Sequence, residues 1–255
     1  MEQANKSLTG KTALITGSGQ NIGKAIATRF AQAGANVVVN GSRSRDKVDA
    51  VVAEIERMGG QALPYMCDVS DPDAVAAMVD AANERFGGVD IAVSNVGRRL
   101  HQPFLDVSVE DWRKVLDTNL SSVFYLNRLV LPHMQKQGWG RLIHVSGYDG
   151  FTGHILNRAH NIACKAGMHG FTKALAREFG PSGITVNTVV PGAINTERDW
   201  SQYPNTDIEK KKKEIPVRRW GEVEDIAEGC FYLCSEGGGF VNGQALHLNG
   251  GEFMF

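Results

Sequence analysis

The sequence predicts an α/β protein built on one doubly wound parallel sheet of about seven strands, with helices covering both faces to give three layers. Three observations carry this expectation. Short β-branched runs alternate with amphipathic helical patterns from Lys11 onward. A glycine-rich turn, Thr16 to Gly23, lies between the first run and the first helical pattern. The chain has 255 residues and is 42% hydrophobic, enough to bury one full core, and no shift in composition marks a second domain. One domain spanning residues 1–255 is expected.

Candidate strands fall at residues 12–15, 37–39, 63–66, 91–94, 142–145, 185–190 and 245–248. Helical spacing links Val48, Val51, Val52, Ile55 and Met58, and again Val75, Met78, Val79, Ala82 and Phe86. Ser70-Asp71-Pro72-Asp73 supplies a helix cap with proline near the first helical position. Ser108 with Asp111 is a capping-box-like start for the helix carrying Trp112, Val115 and Leu116. Met168, Phe171, Leu175 and Phe179 recur at helical spacing behind Lys165.

A formal net charge of −1 with both signs interspersed argues against nucleic acid as a partner and favours a small-molecule substrate. No run approaches the roughly 20 apolar residues of a membrane span, and residues 1–9 are polar, so a cytoplasmic protein with no membrane partner is expected. Cys67, Cys164, Cys230 and Cys234 sit within apolar or helical patterns and read as packing thiols. Cys230 and Cys234 are one helical turn apart, but no histidine or further cysteine lies near them in sequence; no metal site is expected.

Glycines in Thr16-Gly17-Ser18-Gly19-Gln20-Asn21-Ile22-Gly23 let backbone N–H groups approach a pyrophosphate at a helix N-terminus, where the dipole favours negative charge. With the residues that follow, the chain from about Leu8 to Gly251 resembles the short-chain dehydrogenase/reductase family, and within it the 3-oxoacyl-carrier-protein reductases. Thr16, Gly17 and Gly23 match the family's TGxxxGxG turn, with Asn21 in place of the middle glycine. Asparagine tolerates a left-handed backbone best after glycine, so the turn is expected to survive. Asp68-Val69 matches the pair placed against adenine, Ser94-Asn95-Val96-Gly97 resembles the NNAG segment, and Pro191-Gly192 with Thr196 resembles the PGxxxT segment placed against nicotinamide. Arg218 to Glu222 and Asn249-Gly250-Gly251 match its C-terminal landmarks.

The resemblance implies a Rossmann-type fold, a nicotinamide cofactor and a homotetramer or dimer. Contacts to the cofactor are then expected from Gly17, Ser18, Asn21, Ile22, Gly23, Asp68, Val69, Asn95, Val96, Gly97, Lys165, Pro191, Gly192 and Thr196. At the end of the second strand an acidic residue would accept both ribose hydroxyls of NAD, whereas a basic one pairs with a 2′-phosphate. Here Gly41 takes that position and Ser42 and Arg43 follow, with Arg45 a second candidate, so NADP(H) is favoured over NAD(H); the alternative is that both arginines merely solvate a helix start.

The family mechanism uses a tyrosine as general acid or base, a lysine one helical turn later, a serine and an asparagine. Asn119 matches the asparagine and Lys165 the lysine. Asn161 stands where the tyrosine belongs and Gly147 where the serine belongs. A carboxamide cannot donate and recover a proton near neutral pH. Tyr148 and Ser146 are the candidate replacements, although Ser146 neighbours the serine position on an extended strand and so faces the other way. His160 is rotated by about 100° from the Lys165 face. His154 reads as a substrate contact or a surface group, and Asp149 as a turn residue.

Residues 198–216 form a polar segment expected to cover the substrate, and Lys210 to Lys213 within it read as a solvated helix face. Arg98, Arg99 and His101 are placed to face the same pocket and would suit an anionic or polyoxygenated substrate. The leading expectation is an oxidoreductase for a carbonyl/alcohol pair or an activated alkene. The alternative is a cofactor-binding homologue with little or no turnover, a sensor or an inactive subunit. The C-terminal Phe253-Met254-Phe255 is an apolar tail expected to be buried against a neighbouring subunit.

Overall fold

Leu14 packs beneath the sheet while its neighbour Ile15 packs above it, and Val38 and Leu142 repeat this against Val37 and Ile143. That alternation in strands buried on both faces lets one sheet nucleate two cores. The computed structural model describes residues 7–197 and 207–255. Its strands are β1 (Thr12–Ile15), β2 (Asn36–Gly41), β3 (Ala62–Met66), β4 (Ile91–Ser94), β5 (Gly140–Val145), β6 (Ile184–Pro191) and β7 (Ala245–Leu248). They form a 7-stranded sheet in the order β3-β2-β1-β4-β5-β6-β7, every pairing parallel. The strands predicted at 12–15, 91–94 and 245–248 coincide with those observed, and the others gain residues at one or both ends.

One core is closed by α1 (Asn21–Gln32), α2 (Arg45–Arg57) and α9 (Val223–Cys234), through Ile26, Phe30, Val51, Ile55, Ile226 and Leu233. The other is closed by α3 (Pro72–Phe86), α5 (Ser122–Gln137) and α7 (Ala159–Phe179), through Val75, Met78, Leu126, Val130 and Leu175. Asp71 caps α3 by accepting from the Asp73 and Ala74 amides, with Pro72 in the first turn. Ser108 opens α4 (Val109–Leu116) by accepting from the Asp111 amide and donating to its carboxylate. Met58 follows the last residue of α2 and is exposed.

Of the segment expected to cover a substrate, residues 198–206 lie outside the described residues. Its remainder contains α8 (Ile208–Glu214), on which Lys212 pairs with Glu209 and Lys211 with Glu252. Cys164, Cys230 and Cys234 are buried, and burial pushes the Cys164 thiol to about 11 and that of Cys234 to about 12. Such thiols are packing groups.

His144, in β5, is fully buried beneath α7. Asn127 Nδ2 meets its Nε2 at 2.7 Å and Thr172 Oγ1 meets its Nδ1 at 2.8 Å, while Thr172 itself donates to the Met168 carbonyl. The neutral ring satisfies this arrangement, and burial drives its pKa from 6.5 to about 3. The unfolded chain therefore takes up a proton that the folded one refuses as pH falls from 6.5 towards 3, and stability is lost across that window. Thermal melting between pH 7.5 and 4 should show this decline, with a shallower slope in His144→Gln; equal slopes would remove His144 as its source.

Candidate active site

Strand order reverses between β1 and β4, and ligands in such sheets bind outside the carboxyl ends of the strands at that point. A cavity of about 570 Å³ opens there, walled by Asn21, Asn95, Gly97, Lys165, Pro191 and Thr196 among others. The first turn is held to the crevice by Asn95, whose Nδ2 donates to the carbonyls of Thr16 and Gly17 and whose N–H donates to Thr16 Oγ1. Val96 closes on the same threonine. Gly17 has φ +64°, and a Cβ there would stand 2.9 Å from Val96 Cγ2; at Gly23 a Cβ would collide with the Gly17 carbonyl. Asn21 takes the left-handed conformation, φ +50°, that its place in the turn requires.

The Asn21 side chain does more than tolerate that backbone. Its Oδ1 accepts from the Glu197 N–H at 2.8 Å and its Nδ2 donates to the Glu197 carbonyl at 3.2 Å, clipping the segment after β6 to the start of α1. Gln20, at the N-cap of α1, makes no side-chain cap, so the first amides of the helix stay available to an anion. Ile22 lines the cavity. Ser18 is fully buried; its Oγ donates to the Ile15 carbonyl and accepts from the Asn40 N–H, so it stabilises the turn from within.

At the end of β2, Arg45 is held by Asp49 at 2.8 Å. Arg43 and Ser42 are exposed, and Arg43 has no hydrogen bond or ion pair among the described residues. Asp68 accepts from the Ser70 N–H and hydroxyl, which with Arg43 and Arg98 holds its carboxyl below the usual range; Val69 beside it is buried. Gly192, after β6, lies so close to Asn249 that a Cβ would come within 2.6 Å of that residue's Cβ. An open helix N-terminus and glycines at both close approaches fit a nicotinamide dinucleotide.

Lys165 is buried and its Nζ donates to the Val145 carbonyl at 2.9 Å. Burial first, then the field of Arg99, lowers its pKa to about 8, with Asp149 acting in the opposite sense. Asn119 is fully buried in a π-helical turn, Asp117–Ser121, between α4 and α5. Its Oδ1 accepts from the Arg98 N–H at 2.6 Å and its Nδ2 donates to the Arg98 carbonyl at 2.9 Å. Asn161 donates to that same carbonyl at 2.9 Å. The carboxamide at the tyrosine position is thus a brace for the backbone at Arg98.

Ser146 follows the last residue of β5 and lines the cavity, and its Oγ is engaged 3.1 Å from His169 Nε2. Tyr148 is stacked on Phe253, centroids 4.1 Å apart, and on His154 at 5.2 Å. Burial, helped by Glu252 and Asp149, pushes its phenol to about 12, a weaker acid than a free tyrosine. His160 is buried off the cavity, with neither ring nitrogen hydrogen-bonded among the described residues. The C-terminal tail is covered in part by its own chain: Phe253 meets Tyr148, while Met254 and Phe255 remain exposed.

Four residues acquire importance that their sequence context did not signal. Asn40 joins the first turn to β3, accepting from the Gly17 N–H and donating to the carbonyls of Tyr65 and Cys67. Asp149 opens the short helix α6 (Asp149–Thr152), is only 8% exposed, and lines the cavity. Its Oδ1 lies 2.5 Å from where a Cβ on Gly147 would stand, so a carboxylate fills the space of the absent serine side chain. Gly150 lets α6 sit directly on α7, since a Cβ there would be 2.9 Å from Lys165 Cβ. Arg158, the N-cap of α7, is buried in the cavity wall. The available sequence signal for Asp149 was the glycine at 147, which leaves a hole that a neighbour must fill.

Residues 17–252 match a family model described as enoyl-(acyl carrier protein) reductase. A 3-oxoacyl-[acyl-carrier-protein] reductase of Staphylococcus epidermidis is 37% identical, the alignment covering 96% of this chain and 99% of the relative. One from Aquifex aeolicus is also 37% identical, covering 96% and 98%. Among solved structures, a putative short-chain alcohol dehydrogenase from Sinorhizobium meliloti superposes with a TM-score of 0.91 at 32% identity, covering 97% and 98%. A short-chain dehydrogenase/reductase variant from Serratia marcescens gives 0.89 at 31%, covering 96% and 99%. With its strand order, its crevice at the point of reversal and this breadth of likeness, the chain belongs to the short-chain dehydrogenase/reductase family of oxidoreductases.

Proposed function

We propose that the chain is an NADP(H)-dependent oxidoreductase acting on a carbonyl/alcohol pair or an activated alkene, with Asp149 handling the proton in place of the usual tyrosine and serine. The observation that carries this is the cavity itself, which gathers Lys165, Asp149, Gly97 and Thr196 beside the open N-terminus of α1. Names of relatives as 3-oxoacyl reductases support carbonyl chemistry. When bound, the nicotinamide supplies or accepts the hydride at the substrate carbon. The chain's own residues would bind and orient it: the first turn and Arg43 would receive its phosphates, and Lys165 would hold the ribose.

In alcohol oxidation the Asp149 carboxylate takes the hydroxyl proton as hydride leaves carbon; in reduction the carboxylic acid returns it to the carbonyl oxygen. Tyr148 is the poorer candidate because its stacking on Phe253 and its raised pKa make it reluctant to part with a proton. Assembly as a dimer or tetramer belongs to the same proposal, supported by exposed Phe104, Leu105, Val109 and Phe124 flanking α4 and along α5. A cofactor-binding protein without turnover is the outcome if the experiments below find binding alone.

Tryptophan fluorescence quenching should show NADPH binding more tightly than NADH, and Arg43→Ala should weaken NADPH by roughly ten- to a hundred-fold while leaving NADH unchanged. Equal affinities in the wild type would end the 2′-phosphate argument. In a panel of ketones, secondary alcohols and enones, Asp149→Asn should lower kcat by about 10²–10⁴ with NADPH binding intact, and Tyr148→Phe should change it little. The reverse ranking would assign the proton to Tyr148.

A further inference from the structure

Arg158 is only 7% exposed, yet no carboxylate lies within ion-pair distance of it among the described residues. Its hydrogen-bond partner is neutral: Nε and Nη2 both point at His101 Nε2, at 3.0 and 2.6 Å. His101 cannot serve as a counter-charge, because an imidazole is either neutral or cationic; burial first, then Arg158 and Arg99, lower its pKa and so favour the neutral ring. A buried cation without an anion is costly, by several kcal/mol in the general case, and proteins ordinarily pair such groups or use them on ligands.

Position tells what the missing anion belongs to. Arg158 lines the cavity that holds Lys165 and Asp149, and Arg99, which has no hydrogen bond or ion pair among the described residues, lines it too. Arg158 is also the N-cap of the 21-residue helix α7, which has no side-chain cap, so the positive end of the helix dipole adds to the guanidinium. Nearby carboxylates are engaged or distant in role: Glu252 holds the Ala193 N–H and Lys211, and Asp111 accepts from Ser108 and Gln102. Asp149 stands beside Lys165.

We infer that Arg158, with Arg99, forms an anion subsite for the substrate, so that the molecule reduced or oxidised carries a carboxylate or phosphate group of its own. His101 takes one edge of the guanidinium and fixes its plane, leaving the other edge to receive two oxygens. The inference rests on the oxidoreductase reading and narrows it to anionic oxo or hydroxy compounds. It adds a placement: the anion lies at the start of α7 and the reacting oxygen beside Asp149.

Calorimetry with the full chain saturated with NADP⁺, which cannot reduce a ketone, tests this without turnover. The probes are 4-oxopentanoate, its methyl ester and hydroxyacetone phosphate, a ketone with no free hydroxyl. At least one anionic probe should bind ten-fold or more tighter than the ester, the oxo acid leading if the source is a carboxylate and the phosphate ester leading otherwise. Arg158→Gln should abolish the preference, Arg158→Lys should retain part of it, and the affinity for NADP⁺ should hold in both. Should Arg158→Gln fail to fold, Arg158→Lys with Arg99→Gln carries the same comparison. Equal binding of ester and anions, or a preference that persists in the variants, overturns the subsite. Failure of NADP⁺ to bind the wild type would instead overturn the oxidoreductase reading.

Discussion

The reversal of strand order between β1 and β4 is the constraint on which everything else depends. Parallel strands all deliver their carboxyl ends to one edge, and at a reversal the connecting loops part to leave a crevice. The chain secures that opening with few groups. Asn95 donates two hydrogen bonds to Thr16 across it and Val96 donates a third, and Asn40 ties the first turn to the strand on its other side. Glycine at 17 and 23 is then required because backbone and side chains from the two strands meet there.

Charge in the crevice is arranged by depth. Lys165 is buried against the Val145 carbonyl, and its ammonium is tolerated because Asp149 stands near it while Arg99 opposes it. Arg158 is equally deep but faces only a neutral imidazole. One buried cation therefore has a carboxylate near it within the protein, and the other faces none among the described residues. Burial first, then Glu252 and Asp149, raise the pKa of the Tyr148 phenol.

Much of the fold was legible in the chain because it depends on local periodicity. The strands at 12–15 and 91–94 appear as short buried runs, and the caps at Asp71 and Ser108 act through residues two or three positions away. Motif spacing likewise located the turn and singled out the Asn95 segment, Asn119 and Lys165 as site candidates. What it could not show is where side chains go when a partner is far away in sequence. Asn161 bonds to Arg98, 63 residues distant, and Asn21 clips Glu197, 176 residues distant.

By itself the sequence determined the class of fold and the placement of the glycine-rich turn, and it put Asn161 and Gly147 where the family resemblance leads one to expect a tyrosine and a serine, since each is written in spacing and residue type along one stretch. Tertiary structure alone decided what surrounds those two positions. The Asp149 carboxylate occupies the space left by Gly147 because Gly150 allows α6 to lie on Lys165, a contact between segments with no shared pattern. Phe253 covers Tyr148 from the far end of the chain. Arg158 becomes significant only when burial shows that no carboxylate accompanies it. Residue type names a charge, but its energy depends on the dielectric and the partners that packing brings to it.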